Sequence, residues 1–206
     1  MKIRTILVII QRSNGDVLLS ASLINQLNNN LKPEAIDLLV NIDTLPIAKT
    51  LPNVRQIHTF SYKEKNENKF NQERKIINKI YRKYDLSINL TSSDRSVIYA
   101  LLASKKSISA VEKNNLKAWW KKILLKCHFT YDLNSHILIN NLKPLSLLGL
   151  NASNHQASPK HSQAAFSSIQ DKLRKLKITK FIIFHPSAQY NYKVYDKKLR
   201  HSLLHL

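Results

Sequence analysis

Short unbroken apolar runs alternate with stretches of helical spacing along most of this chain. Strands buried on both faces of a parallel sheet read as continuous β-branched runs, whereas helices repeat apolar residues every three or four positions. The runs predict strands at 5–10, 35–40, 54–60, 86–90 and 107–111. Helical spacing predicts helices at 17–31, 44–51, 70–83, 95–104 and 136–148. This alternation predicts an α/β fold with a parallel, Rossmann-like sheet that carries helices on both faces.

Polar segments divide this pattern. The lysine-rich stretch Lys63–Lys69 predicts a loop, and the small polar residues after Gly149 predict a linker. Beyond the linker, spacing predicts a helix at 165–176, a strand at 180–185 and a helix from about 196 to 206. The predicted organisation is therefore a first domain at 1–150, a linker at 151–164 and the start of a second domain at 165–206.

The charge is strongly basic and uneven. The 206 residues carry a formal net charge of +20, with +2 in residues 1–60, +10 in residues 61–127 and +8 in residues 128–206. Such a field attracts polyanions such as nucleic acid, anionic lipid headgroups or phosphorylated glycans, although a solvated lysine-rich surface gives the same composition. No apolar run approaches the roughly 20 residues that cross a bilayer, and the start of the chain is too short for a signal-peptide core. We therefore expect a cytoplasmic protein, and its single cysteine, Cys127, excludes an internal disulfide.

The segment AWWKKILLKCHF, within residues 114–132, is harder to assign to an element. Two tryptophans beside lysines are typical of a wedge at a membrane surface, but they can equally cover a core. We favour the core for Trp119 and Trp120, whereas Lys121, Lys122 and Lys126 are candidates for contact with anionic lipid phosphates.

A glycine and an aspartate, Gly15 and Asp16, stand where the first strand gives way to the first helix. Ligands of open parallel sheets bind at the carboxyl ends of strands, and glycine there permits a positive φ or close approach of a ligand. Aspartate in a first helical turn either caps the helix or presents a carboxylate to the cleft. The loop lacks both the three-glycine dinucleotide fingerprint and the P-loop, which argues against nicotinamide oxidoreductases and ATPases.

The residues around these positions resemble a known family. ILVIIQRSNGDVLLSASLINQL, YDLSINLTSSDRSVIYALLASKK, HILINNLKPLSLLGL and KFIIFHPSAQYNYKVYD follow one another in the order seen in the bacterial lipopolysaccharide heptosyltransferases, glycosyltransferase family 9. The resemblance covers the whole chain, but only the loops at Gly15-Asp16 and His185-Pro186 are specific.

The resemblance implies a GT-B fold, in which two Rossmann-like domains face each other across a cleft. It implies an inverting transfer of heptose from ADP-heptose to the inner core of lipopolysaccharide, without metal or other cofactor, by a protein at the cytoplasmic face of the inner membrane. Asp16 would be the base, Asn14, Gly15 and Arg95 would lie on the acceptor side, and Lys193 and Ser187 would bind the donor phosphates. An ion pair with Asp94 is the plainer interpretation of Arg95.

The sequence departs from the family at three places. Tyr195 stands where a tryptophan is common, and Gln189 stands where a basic residue is common. The later segment that cradles the nucleotide in that family has no counterpart, so we expect a truncated chain, and whether it still transfers heptose stays open. Two alternatives stay open: a basic nucleic-acid-binding module, which has only the charge in its favour, and a non-catalytic remnant. A metal site at the i, i+4 pair His201 and His205 lacks further ligands, so solvated helix residues are favoured there.

Overall fold

The computed structural model describes residues 2–113, 118–153, 158–188 and 194–204. The chain divides into two compact units, Met1–Lys160 and His161–Leu206. The first unit carries a six-stranded sheet in the order β3-β2-β1-β4-β5-β6, in which every described strand pair is parallel. The strands are β1 Thr5–Ile10, β2 Ala35–Asn41, β3 Gln56–Phe60, β4 Leu86–Asn89, β5 Ser107–Glu112 and β6 Cys127–Tyr131. This is the strand order of the doubly wound dinucleotide-binding folds, so the predicted Rossmann-like sheet is confirmed.

Helices connect the strands and cover both faces of the sheet. In the first unit they are α1 Asn14–Leu19, α2 Ala21–Leu31, α3 Leu45–Ala48, α4 Tyr62–Ile80, α5 Asp94–Ala103, α6 Trp119–Leu124 and α7 Ile137–Leu147. Ser20 separates α1 from α2, so the single helix predicted at 17–31 is two helices. A short 3-10 turn, Ile42–Thr44, precedes α3.

The central strand β1 is buried on both faces of the sheet, which explains its continuous apolar sequence. Ile6, Val8 and Ile10 face a core formed with α1, α2, α3 and α7, whereas Leu7 and Ile9 face a second core formed with α4 and α5. All five side chains are fully buried. Because successive strand residues point to opposite faces, a strand covered on both sides must be apolar at every position.

The polar stretch Lys63–Lys69 is helical, so the loop predicted there is wrong. It forms the first turns of α4, and the Ser61 side chain caps this helix by accepting a hydrogen bond from the Glu64 backbone N–H. The Gln72 side chain holds the same corner, because it bonds both backbone polar groups of Ser61. Helix caps and a single buried face stabilise α4, although its first turns show no apolar periodicity.

Four polar side chains form a network beneath α4. Asp37, which is fully buried on β2, accepts two hydrogen bonds from the Arg55 guanidinium at 2.9 and 2.6 Å and one from the Tyr84 hydroxyl at 2.8 Å. The Nε2 atom of His58 lies 2.9 Å from the Tyr84 oxygen. Since the single hydroxyl proton of Tyr84 goes to Asp37, His58 Nε2 must carry a proton and donate to Tyr84.

The motif Tyr84-Asp85 therefore has a structural role at both residues. Asp85 Oδ2 accepts hydrogen bonds from the backbone N–H groups of Arg4 and Thr5, at 2.8 and 3.0 Å, which joins the start of β4 to the start of β1. These backbone hydrogen bonds lower the pKa of Asp85. Its carboxylate is thereby favoured in the charged form that holds the central strand pair in register.

We expect the first unit to lose stability as the pH falls below about 6.5. Burial lowers the pKa of His58 below the 6.5 that is usual for a histidine side chain. The unfolded chain then binds a proton that the folded chain resists, so the stability present above pH 6.5 is lost as the pH falls below it. Urea midpoints at several pH values check this for the protein and for His58→Gln, which keeps a donor for Tyr84. A variant whose midpoint falls as steeply as that of the parent contradicts the assignment to His58.

The described part of the second unit forms two helices, α8 Gln163–Lys175 and α9 Lys197–Leu204, and neither has a buried residue. The Ser162 side chain caps α8 by accepting a hydrogen bond from the Ala165 N–H. The segment predicted as a strand at 180–185 has no regular secondary structure, so that prediction is wrong. A strand requires a neighbour for its backbone hydrogen bonds, and the described part of this unit offers none. Within that segment, Ile182 is 95% exposed and Ile183 is 83% exposed.

Candidate functional site

The carboxyl ends of β1 and β4 lie side by side where the sheet reverses its strand order. The chain runs outward from β1 to β3, returns to β4 on the other side of β1, and runs outward again to β6. The loops after β1 and β4 therefore diverge, and open α/β sheets bind ligands in the crevice between them. A hydrogen bond of 2.9 Å from the Gln11 backbone N–H to Thr91 Oγ1 ties the two loops together.

A cavity of about 560 Å³ opens at this edge of the sheet. Residues that end or follow four strands line it: Arg12 after β1, Ser92 after β4, Glu112 and Lys113 at β5, and Tyr131, Asp132, Leu133 and Asn134 at β6. Its volume falls within the range of about 300–1,000 Å³ that is usual for small-molecule sites. The cavity lining contains both basic and acidic side chains around the ring of Tyr131. Such a lining suits a polar ligand that carries several hydroxyl groups.

Asp16 lies in the first turn of α1 and is tied to this cavity through Arg12. Its Oδ2 accepts from Arg12 Nε at 3.1 Å, from Ser13 Oγ at 3.0 Å and from the Ser13 backbone N–H at 3.3 Å. The Asp16 side chain is 22% exposed. Capping therefore occupies Oδ2, whereas Oδ1 takes part in none of the hydrogen bonds recorded for the described chain. The two interpretations of this aspartate are thus compatible, one for each oxygen.

Arg12 is the residue that connects the helix to the cavity. Its guanidinium carbon lies 4.7 Å from the centre of the Tyr131 ring, so it stacks against the end of β6 while it holds Asp16. A guanidinium that stacks and donates in one plane has few alternative positions. This contact fixes the carboxylate relative to the cavity wall.

Gly15 precedes Asp16 in the same turn and adopts ordinary helical backbone geometry; among the described glycines, only Gly149 has a positive φ. The positive φ allowed for Gly15 is therefore absent. An added Cβ at Gly15 would meet nothing within 4 Å. Its neighbour Asn14 is exposed on the same turn. Packing within the described chain therefore does not require glycine at this position.

Three buried side-chain polar atoms at the carboxyl edge have no hydrogen-bond partner among the described residues. Both side-chain polar atoms of Gln11, which is 6% exposed after β1, and Oδ1 of Asn41, at the end of β2, make no hydrogen bond within the described residues. An unpaired buried polar group costs about 1–3 kcal/mol. Unsatisfied groups at the ligand-binding edge of a sheet are typical of a site that is completed by its ligand.

Arg95 begins α5 near a second cavity, of about 320 Å³, which it lines with Lys65, Glu73 and Tyr99 among others. Its guanidinium lies 3.7 Å from the centre of the Phe60 ring and donates to the Tyr62 hydroxyl at 3.1 Å. The ion pair expected with Asp94 is wrong, because Asp94 pairs with Lys121 instead. The Nε atom of Arg95 is buried and unpaired within the described chain. No described hydrogen bond or ion pair joins Arg95 to Asp16.

Lys121 is buried, so its predicted exposure to lipid phosphates is wrong. Its side chain is 1% exposed, and its Nζ donates to the Ser92 carbonyl at 2.6 Å and pairs with Asp94 at 2.7 Å. Trp120 is partly buried and packs on the core, as predicted, whereas the core position predicted for Trp119 is wrong, because its side chain is 65% exposed. Lys122 and Lys126 are exposed, as predicted.

The predicted donor-side residues belong to the second unit. Ser187 is exposed beyond Pro186, and Tyr195 is 53% exposed. Lys193 and Gln189 lie outside the described residues, as does His205. In the described chain, no group of three or more histidine, cysteine or acidic side chains is arranged to hold a metal ion. Each described helix falls short of the length and apolar character that crossing a bilayer requires.

Sequence reasoning missed the residues that converge on the larger cavity from separate strands. Arg12 could have been predicted as a site residue, because it lies just after a strand that was predicted correctly. Glu112 required the end of β5 to be placed one residue further on. Tyr131 and Asp132 required β6, which the pattern did not reveal.

Comparison with known proteins identifies relatives of this chain, although no family model matches it. It is 27% identical over 194 residues to the Escherichia coli lipopolysaccharide heptosyltransferase 3, covering 90% of this chain and 55% of that protein. The chain thus spans about half the length of the curated relatives that it matches. These matches confirm the resemblance to the lipopolysaccharide heptosyltransferases.

Solved structures share the fold. A glycosyl transferase family 9 protein from Veillonella parvula DSM 2008 superimposes with a TM-score of 0.78 at 16% identity, over 98% of this chain and 59% of that chain. The E. coli heptosyltransferase WaaC with ADP-2-deoxy-2-fluoro heptose gives 0.71 at 13% identity, over 98% and 64%. The predicted fold class, α/β of the GT-B type, is confirmed.

Proposed function

We propose that this protein takes part in the transfer of heptose from ADP-heptose to the inner core of lipopolysaccharide, and that its first unit supplies the acceptor site and the base. One observation carries the proposal: Arg12 holds Asp16 beside the cavity at the place where the sheet reverses its strand order. The chain that carries this arrangement is related to heptosyltransferases. A related protein has been solved with an ADP-heptose analogue, which supports a nucleotide-sugar donor.

In the proposed reaction, Asp16 accepts the proton of an acceptor hydroxyl while that oxygen bonds to the anomeric carbon of the heptose. The bond from this carbon to the diphosphate breaks, and its electron pair leaves with the phosphate oxygen. Attack opposite the leaving group inverts the anomeric centre. Oδ1 is the oxygen suited to take the proton, because the cap and Arg12 occupy Oδ2. The cavity lined by Arg12 and Tyr131 would hold the acceptor sugar.

The departing diphosphate requires positive charge and hydrogen-bond donors in a reaction without a metal. Lys193 and Ser187 are proposed for these roles from the family resemblance. The exposure of Ser187 leaves its hydroxyl accessible to a ligand.

On the acceptor side, Arg95 is proposed to bind an anionic group of the core. Lys65 lines the same cavity, so two cations face one opening, together with the Glu73 carboxylate, which accepts a hydrogen bond from Tyr99. The buried and unpaired Nε of Arg95 would gain its hydrogen bond from such a ligand. Because such an acceptor is anchored in a membrane, we expect the protein to act peripherally, at the cytoplasmic face of the inner membrane.

The deciding experiment is a transfer assay with ADP-heptose and a deacylated core acceptor, accompanied by binding measurements for each ligand. We expect saturable binding of the acceptor and formation of a heptosylated product. Lys193→Ala should raise the KM for ADP-heptose and leave acceptor affinity unchanged. Absence of binding to either ligand, together with tight and steeply salt-dependent binding of duplex DNA, would instead favour a nucleic-acid-binding protein.

Gly15→Ala tests whether a ligand approaches the first turn of α1. The free energy of unfolding should stay the same or rise by up to about 1 kcal/mol, since alanine is the better helix former and its Cβ would meet nothing. Transfer should fall by about 10- to 100-fold, because a methyl group would displace the acceptor. Urea unfolding and steady-state kinetics measure the two effects. Unchanged kinetics in a stable variant contradict close approach at this residue.

A further inference from the structure

Helix α6 has an inner and an outer side that differ in chemistry. On the inner side, Lys121 and Leu125 are buried, and Leu125 packs with Val97 and Val111. The outer side carries three large apolar side chains in the open: Trp119, Ile123 and Leu124 are 65%, 70% and 57% exposed. A short helix thus presents an aromatic and two aliphatic residues to solvent.

The inner side is fixed, so the outer residues cannot be buried by rotating the helix. Rotation would break the bonds that Lys121 Nζ makes to the Ser92 carbonyl and to Asp94. The buried amine would then lose its partners, which is strongly unfavourable. Ser92 also lines the larger cavity, so α6 is anchored directly beside the proposed acceptor site.

The charged side chains within residues 118–131 are all basic. Lys122 and Lys126 are exposed next to the apolar residues, and residues 118–131 contain neither aspartate nor glutamate. Tryptophan is enriched where hydrocarbon meets headgroups, and lysines close to an anionic bilayer are attracted to its surface charge. Apolar side chains with flanking lysines complement the surface of an anionic bilayer on both counts.

We infer that the outer side of α6, formed by Trp119, Lys122, Ile123, Leu124 and Lys126, docks on an anionic lipid bilayer and holds the larger cavity at the membrane surface. The inference rests on the proposed function for the source of a membrane-anchored acceptor. Its test requires no transfer activity, so the two can fail separately.

The experiment measures sedimentation of the full chain with vesicles of phosphatidylcholine and phosphatidylglycerol in equal parts, and with vesicles of phosphatidylcholine alone. The protein should bind the anionic vesicles. The double variant Trp119→Ser/Ile123→Ser should bind them about tenfold or more weakly, because it loses two apolar side chains from the contact. Phe70→Ser, which removes an exposed aromatic residue from α4, is the matched control and should bind within about twofold of the parent.

Charge is tested by a second matched pair. Lys122→Glu/Lys126→Glu should lose most binding to anionic vesicles, whereas Lys105→Glu/Lys106→Glu makes the same change of net charge at other exposed lysines and should lose much less. Far-UV circular dichroism verifies that each variant is folded. Equal losses in the two pairs would show attraction by net charge alone and overturn the inference. So would self-association that depends on Trp119 in a protein that does not bind vesicles.

Discussion

Replacing Asp16 with asparagine is expected to lower the rate of heptosyl transfer by about 10²–10⁴-fold, the contribution of a positioned general base. Asparagine keeps an oxygen that can accept the capping hydrogen bonds from Ser13, so the start of α1 should persist. It cannot take the proton of the acceptor hydroxyl. The loss should therefore appear in kcat, with acceptor affinity within about threefold of the parent.

The control for this variant is Ser13→Ala. It removes the hydroxyl bonded to Asp16 Oδ2 at 3.0 Å and leaves the carboxylate in place. It should destabilise the protein by about 0.5–2 kcal/mol, as the loss of a cap does, with only a small effect on transfer. Near-normal turnover of Asp16→Asn refutes the assignment of the base, whatever the control shows.

The largest expected effect on stability is that of Arg55→Gln. Asp37 has a side chain that is 1% exposed, and Arg55 provides two of the three hydrogen bonds to its carboxylate. Breaking a buried pair leaves an uncompensated charge and costs about 3–5 kcal/mol. Because Arg55 itself is 55% exposed, we expect a smaller loss of about 2–3 kcal/mol, a fall in Tm on the order of 4–12 °C.

Arg4→Gln is the matched control, because its ion pair with Glu34 spans 3.9 Å between side chains that are 65% and 64% exposed. That variant should change the free energy of unfolding by less than about 0.5 kcal/mol. Arg55→Gln/Asp37→Asn should be less destabilised than the sum of its single variants, since no stranded charge remains. Thermal and urea unfolding are measured for the parent, for the single variants Arg55→Gln, Asp37→Asn and Arg4→Gln, and for the double variant. Equal effects of Arg55→Gln and Arg4→Gln contradict the role assigned to this network.

Local pattern revealed most of the sheet because most of its strands are buried. Ile6–Ile10 is apolar at every position, and the predicted bounds of 5–10 agree with those of β1. By contrast, β6 lies at the edge of the sheet and buries only Phe129. The extended structure of β6 depends on its pairing with β5, so the sequence of β6 shows no clear apolar pattern. The polar start of α4 was missed for a similar reason, since its cap at Ser61 carries the signal that apolar spacing lacks.

The candidate site was accessible to sequence reasoning only where it is local. Gly15 and Asp16 follow a predicted strand, so their place at the carboxyl edge could be foreseen. The stacking of Arg12 on Tyr131 joins residues far apart in the chain, and no spacing rule predicts it. Likewise, Arg95 was expected to pair with its neighbour Asp94, but the fold brings Phe60 and Tyr62 beneath it. The proposed roles of Asp16, Ser187 and Lys193 remain predictions.

The open segment Phe181–Phe184 in the second unit bears on how the protein behaves in concentrated solution. All four residues favour extended structure, and none of them is buried. Short runs of this kind template intermolecular β-pairing and fibril growth, which charged residues and proline at their borders retard. Lys180 and Pro186 lie close to either end of the segment and act as such gatekeepers. Solutions of Lys180→Ala should therefore become turbid, as a sign of aggregation, at lower protein concentrations than solutions of the parent.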